Sequence, residues 1–192
     1  MPRTKEQNEK IKEKRKVQIE SSALELFAKR GFHPTTISEI AEHAGIAKGL
    51  MYSYFKSKDD LLHSILVSGF EKLIKDFDLN HDGVLTSEEL HYYINSIFNG
   101  MIEEKYYWRL YFSVTLQPEV VDKKLLDELL SIINPFFAVL EKYFESKGFD
   151  QPQVEVIYFQ SLLDGILLNS IVNQEFYPLD AIKEMVIKRY VK

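Results

Sequence analysis

Apolar residues recur along this chain every three to four positions almost throughout, and no stretch alternates for long, so the expected class is all-α. The first dozen residues lack an apolar stripe and are expected to fray. Beyond them Ile19, Ala23, Leu26 and Phe27 share one face of a first helix, which Gly31 stops and Pro34 keeps from resuming. A second, short helix opens at Thr35-Thr36, where either hydroxyl can accept from a free first-turn amide. It turns Ile37, Ile40, Ala41 and Ala44 inward. Gly45 supplies a tight turn, and Ile46 to Phe55 reads as a third short helix. Ser57, followed three residues later by Asp60, signals a long fourth helix. It is expected to run through Leu61, Leu62, Ile65, Leu66, Phe70, Leu73, Ile74 and Phe77. Further amphipathic segments cover 87–116, 120–147, 152–174 and 178–191, with breaks near Gln117-Pro118, Gly148 to Pro152 and Tyr177-Pro178. Three short helices with a glycine between the second and third fit a helix-turn-helix over 1–58, leaving 59–192 as a larger helical domain.

Composition narrows this picture. In 192 residues, 45% hydrophobic and 13% aromatic side chains suffice for a real core, which excludes wholesale disorder. The absence of cysteine excludes a disulfide scaffold, a thiolate zinc site and a cysteine nucleophile. No apolar run is read as long enough to cross a bilayer, and Met1-Pro2-Arg3 leads into charge rather than a signal sequence. No membrane partner is therefore expected, and the cytoplasm is the default compartment. The overall charge of −5 divides unevenly: residues 1–58 hold 12 basic against 7 acidic side chains, and the rest 12 against 22. A basic head on an acidic body suits a polyanion partner for the head alone. Lys10, Lys12, Lys14, Arg15 and Lys16 are equally readable as an ordinary solvated helix face. His33, His43, His63, His81 and His91 form no metal-ligand spacing, and no glycine-rich phosphate loop exists, so an enzyme is not expected.

A helix-turn-helix requires the second helix to brace the third, whose outer face must be able to enter a major groove. Ile37, Ile40, Ala41 and Ala44 can brace; Ile46, Met51 and Phe55 can pack from the third helix. The stretch TISEIAEHAGIAKGLMYSYFKSK, from Thr36 to Lys58, closely resembles the DNA-binding signature of the tetracycline-repressor-like (TetR) family of transcription regulators. The matching features are the opening threonine, the Ile-Ala pair, the Ala-Gly turn, the aromatics Tyr52, Tyr54 and Phe55, and the lysine-rich entry to helix four. The resemblance implies phosphate contacts from Thr36, Ser38, Tyr52, Tyr54 and Lys58, and base-edge contacts from around Ala47, Lys48, Gly49, Leu50 and Ser53. Leu50 departs from the polar residue often found there and can only meet a thymine methyl or fill space, which leaves Lys48 as the best guanine contact. Tyr52 and Tyr54 could instead be core residues of a small domain.

The same resemblance implies a two-fold dimer on near-palindromic operator DNA, paired through the last two helices. The residues assigned to that interface are Val156, Phe159, Leu163, Ile166, Leu167, Ile171, Ile182, Met185 and Val186. Their alternative is a fully buried helix within a monomer. It also implies a cavity for a small-molecule effector, expected to be apolar or aromatic and touched by some of Tyr93, Phe98, Trp108, Tyr111, Phe112, Phe137 and Phe159; such stripes are more often core than pocket. Repression relieved by the effector is the commonest arrangement in such a family.

One further motif stands outside this reading. Residues 78–89, DLNHDGVLTSEE, match the EF-hand calcium loop at each diagnostic position. Oxygen ligands would come from Asp78, Asn80, Asp82, the Val84 carbonyl, Thr86 (directly or through water) and a bidentate Glu89, with Gly83 at the bend. No cofactor is otherwise required. A polar loop ending in Thr-Ser-Glu-Glu is also an ordinary way to start a helix. The loop keeps a second reading open, a calcium-binding helical sensor or interaction protein, which would leave the N-terminal motif unexplained.

Overall fold

The computed structural model describes residues 4–191 apart from 76, 79, 81, 118 and 174; His81 and Pro118, invoked above, lie outside the described residues. Among the described residues the chain is all helix: α1 (Lys5–Arg30), α2 (Ile37–His43), α3 (Lys48–Met51), α4 (Lys58–Ile74), α5 (Ser87–Glu103), α6 (Lys105–Thr115), α7 (Lys123–Ser146), α8 (Pro152–Val172) and α9 (Leu179–Tyr190).

The start signals act as the sequence implies. Thr36 caps α2, its hydroxyl accepting from the Glu39 amide while the Glu39 carboxylate accepts from the Thr36 amide. Ser57 caps α4 by accepting from the Asp60 amide. Gly45 takes a φ of 63°, which suits a residue without a side chain at the α2–α3 turn.

Three expectations differ. The polar N-terminal stretch is helical from Lys5, because Thr4 and Gln7 cap it reciprocally and Glu6 pairs with Lys10 one turn on. Helix α4 ends at Ile74, with Phe77 beyond it in the core. The segment 87–116 is two helices, broken at Glu104, where the Trp108 indole N–H donates to the Gly100 carbonyl at 3.0 Å.

Helix α8 also corrects the membrane expectation: by length and composition alone it could span a bilayer. Here Val156, Phe159, Leu163, Ile166 and Leu167 are buried in the protein, and Glu155, Gln160 and Asp164 interrupt its apolar run. Around α7, α8 and α9 sits an aromatic knot. Phe144, fully buried, lies 5.0–6.0 Å from the rings of Phe149, Phe159 and Tyr190. The Tyr143 hydroxyl donates to the Tyr190 carbonyl, and the Tyr190 hydroxyl to Glu155.

The α4–α6 contact depends on Gly69. A Cβ there would stand 1.9 Å from the Tyr107 ring, whose hydroxyl donates to the Leu66 carbonyl. In an open helix Gly→Ala gains about 1 kcal/mol of propensity, but overpacking a buried contact costs about 1–3 kcal/mol. Gly69→Ala is therefore expected to lower the melting temperature, and a variant that melts at or above the parent temperature would show that the ring has room to move aside.

Candidate nucleic-acid interface

The head divides cleanly into brace and reading face. Ile40, Ala41 and Ala44 of α2, and Met51 and Phe55 from α3 and its extension, are buried with Ile19, Ala23, Leu26 and Phe27 of α1. The regular part of α3 is shorter than expected. Its turn continues through Phe55, with the Ser53 amide bonded to Leu50 and the Tyr54 and Phe55 amides to Met51. Ala47, Lys48, Gly49, Leu50, Tyr52 and Ser53 all lie on the exposed side. Tyr52 is 54% exposed, so the core reading of this tyrosine is not the observed one. Thr36 and Ser38 are exposed at the start of α2, on the same head. Tyr54 is only half-buried and packs against the core, serving structure and surface together.

Lys58 is placed differently from the phosphate-contact expectation. Its ammonium donates to the carbonyls of Phe32, His33 and Thr35 at 2.8–3.0 Å and sits over the Phe32 ring. All three of its donors are committed to closing the α1–α2 connection, so this lysine is a structural tie. Sequence spacing gave no hint of it, because the partner carbonyls lie more than twenty residues upstream. Lys10, Lys12 and Lys14 are exposed along α1, and Lys10, Lys12 and Lys16 line, together with Glu9 and Glu13, a shallow recess that reaches Ser53 and Tyr54.

Behind the head, an apolar cavity of about 230 Å³ lies between α4, α5, α6, α7 and α8. Of the aromatic residues assigned to such a cavity, Tyr93, Trp108, Tyr111 and Phe137 line it. Phe98 and Phe159 do not: each is buried in the core, Phe159 within the aromatic knot. Phe112 is half-buried against the core with its ring beside Tyr111 rather than on the cavity wall. Two polar side chains on the wall, Gln160 and Asp164, bond to each other at 3.1 Å. Asp164 has no basic partner among the described ion pairs, and burial pushes its carboxyl above the usual carboxylate range. Burial similarly raises the Tyr111 phenol to about 12. A wider groove of about 530 Å³ between α1, α4, α5 and α6 shares Leu73 and Trp108 with the cavity as a common wall.

The pairing residues assigned on α8 and α9 need the largest correction. Val156, Phe159, Leu163, Ile166, Leu167 and Val186 are buried inside the protomer, and Ile171 and Ile182 are half-buried. The α8 members pack toward α7, with Phe159 also against Tyr190 of α9, and α9 itself packs on α5. Met185 alone of the set is well exposed, at 72%. The opposite face of α8 is the open one. Val154, Ile157, Tyr158, Leu168 and Val172 follow one another at spacings that keep them on a single exposed stripe.

Residues 19–65 match the family described as "Bacterial regulatory proteins, tetR family". The fatty acid metabolism regulator protein of Bacillus subtilis is 34% identical over 80 residues, a stretch covering 42% of this chain and 41% of that protein. The chain thus matches less than half the length of that curated relative. Similarity to solved structures extends further: a FadR transcriptional regulator from Bacillus subtilis, in complex with stearoyl-CoA, gives a TM-score of 0.72 at 23% identity, covering 92% of this chain and 97% of that one. A TetR family transcription regulator from Marinobacter aquaeolei gives 0.74 at 17% identity, with 94% and 95% covered. These neighbours share the fold, a helix-turn-helix head on a helical body, and are transcription regulators rather than enzymes.

Proposed function

We propose that this chain is a TetR-type transcription regulator that binds operator DNA as a homodimer and leaves it when an apolar effector enters the α4–α8 cavity. The observation that carries the reading is the two-sided third helix: Met51 and Phe55 are sunk in the head while Lys48, Gly49, Leu50, Tyr52 and Ser53 lie open. Small side chains and a glycine let that face approach base edges closely, Lys48 supplies a hydrogen-bond donor for guanine, and Tyr52 and Ser53 can reach phosphates.

The effector chemistry follows from the cavity wall. An apolar chain suits it, in keeping with the stearoyl-CoA held by the similarly folded Bacillus subtilis protein. At about 230 Å³ the space is smaller than the roughly 300–1,000 Å³ of common ligand clefts. Entry of a long chain must therefore displace wall side chains of α4 or α6, which is the movement a regulator needs. Asp164, a carboxylate already short of solvation, opposes an anionic headgroup inside. A charged end would stay in the outer groove.

Selecting duplexes from a random pool with the full chain tests the DNA reading. The expected product is a near-palindrome with half-sites about one helical turn apart, bound with an affinity that falls steeply as salt rises. No enriched duplex, or binding indifferent to salt, would overturn the proposal. On that duplex, Lys48→Ala is expected to weaken binding by about 1–3 kcal/mol, five- to more than a hundredfold, and to relax preference at one guanine. Fluorescence anisotropy on the selected site and its single-base variants measures both; parent-like discrimination would remove Lys48 from the reading set.

A further inference from the structure

We propose that residues 78–89, which join α4 to α5, form a calcium site that fixes this joint. The loop already turns as such a site requires. Gly83 sits at φ 73° and its amide donates to Asp78 Oδ2 at 2.8 Å; the Asp82 amide donates to Asn80 Oδ1, and the Val84 amide to Asp82 Oδ1. Asn80 Nδ2 also donates to Asp82 Oδ2 at 2.9 Å, which brings the third and fifth loop positions together, while the first is tied to the bend at Gly83. Leu85, buried, pins the loop to the core, and Phe77 and Leu90 anchor its two ends.

An independent observation points to a missing cation. Asp78 Oδ1 is shut off from solvent and has no hydrogen-bond partner, the one such side-chain atom among the described residues. A desolvated carboxylate oxygen without a donor is costly, and a cation is the partner that would relieve it. Glu89, 8% exposed, is another acid drawn into the protein at the last ligand position. Among the described residues no ion pair reaches Asp78, Asp82 or Glu89. Four carboxylates, Asp78, Asp82, Glu88 and Glu89, lie within twelve residues that hold no lysine or arginine.

As it stands, the loop is wound but not closed. The Glu89 carboxylate accepts from the Thr86 amide and hydroxyl as the cap of α5, and the carboxylates of Asp78, Asp82 and Glu89 are not yet gathered into one centre. Binding would contract the loop and draw Glu89 partly from its cap. That cost places the affinity toward the weak end of EF-hand loops, with a Kd of about 10⁻⁵–10⁻³ M. Oxygen ligands of this number and flexibility favour calcium over magnesium, which demands a tight octahedron. The joint links the helix leaving the DNA-reading head to a helix lining the cavity, so ordering it would restrict the relative movement of α4 and α5.

Calorimetric titration of CaCl2 into the chelator-stripped full chain, with melting curves alongside, tests this. A saturable one-site heat and a rise of several degrees in melting temperature are expected, with a much smaller response to MgCl2. Glu89→Gln, which keeps the helix cap, and Asp82→Asn, on the exposed side of the loop, should each weaken calcium binding at least tenfold with unchanged helicity. Absence of heat and melting shift at 5 mM calcium would overturn the proposal. An equal response to magnesium that persists in both variants would overturn it too, by marking general ionic screening. The result does not depend on whether the head binds DNA.

Discussion

Ile157→Glu is expected to turn the protein into a folded monomer that has lost most of its hold on an operator. Ile157 stands on the exposed α8 stripe with Val154, Tyr158 and Leu168, and is 66% open to solvent in the protomer. Inside one chain a glutamate there meets only water, so helicity should be kept. At a two-fold contact the same patch occurs twice, so the substitution would desolvate two carboxylates, each against the partner's apolar stripe, without a counter-charge. Each half-site alone is a weak ligand; joining two heads raises affinity by about 10²–10⁴ through effective concentration. A loss of that order on the selected duplex, together with a halved mass by light scattering, is the expected result. A variant that stays dimeric and binds as before would show that pairing uses another surface.

The second large effect concerns stability. Phe144→Ala should destabilise the fold by about 3–5 kcal/mol, as is usual when a fully buried ring is removed from a packed core. For a domain of this size that corresponds to a fall of roughly 6–20 °C in melting temperature. The position is chosen for its neighbours: Phe149, Phe159 and Tyr190 all pack on this ring, so its loss opens a void that three rigid rings cannot collapse to fill. Circular dichroism during heating decides it, and a fall under about 2 °C would mean the knot repacks freely.

Much of the head was legible from the chain itself because its signals are local. The Thr36–Glu39 cap, the Gly45 turn and the Ser57–Asp60 start each lie within a few residues, and each appears where expected. What failed were long-range choices. Helix α8 is apolar on two faces, so periodicity could not say which side meets its own core and which lies open; most of the assigned pairing set lies on the core side. Lys58 was read by its charge, whereas its position is governed by carbonyls of the α1–α2 connection. The break at Glu104 has no proline or glycine at the junction, and the Gly100 carbonyl before it accepts from both the Glu104 amide and the Trp108 indole, a long-range bond that spacing does not reveal. Of the aromatics, Phe98 and Phe159 differ from Tyr93 and Trp108 only in which neighbour they face, and that is settled by packing.

The bare backbone at Gly69 has a mechanical meaning. Because the Tyr107 ring occupies the space where a side chain would otherwise provide give, α4 and α6 mesh like a tooth in a notch. Trp108 and Tyr111 border the cavity on the same short helix, and Phe70 of α4 packs edge-on against Tyr111. A molecule that pushes α6 outward therefore cannot do so alone. Under the proposed effector mechanism the displacement would be handed on to α4, whose first residues begin where the head ends, and from there to the head of each copy in the proposed dimer.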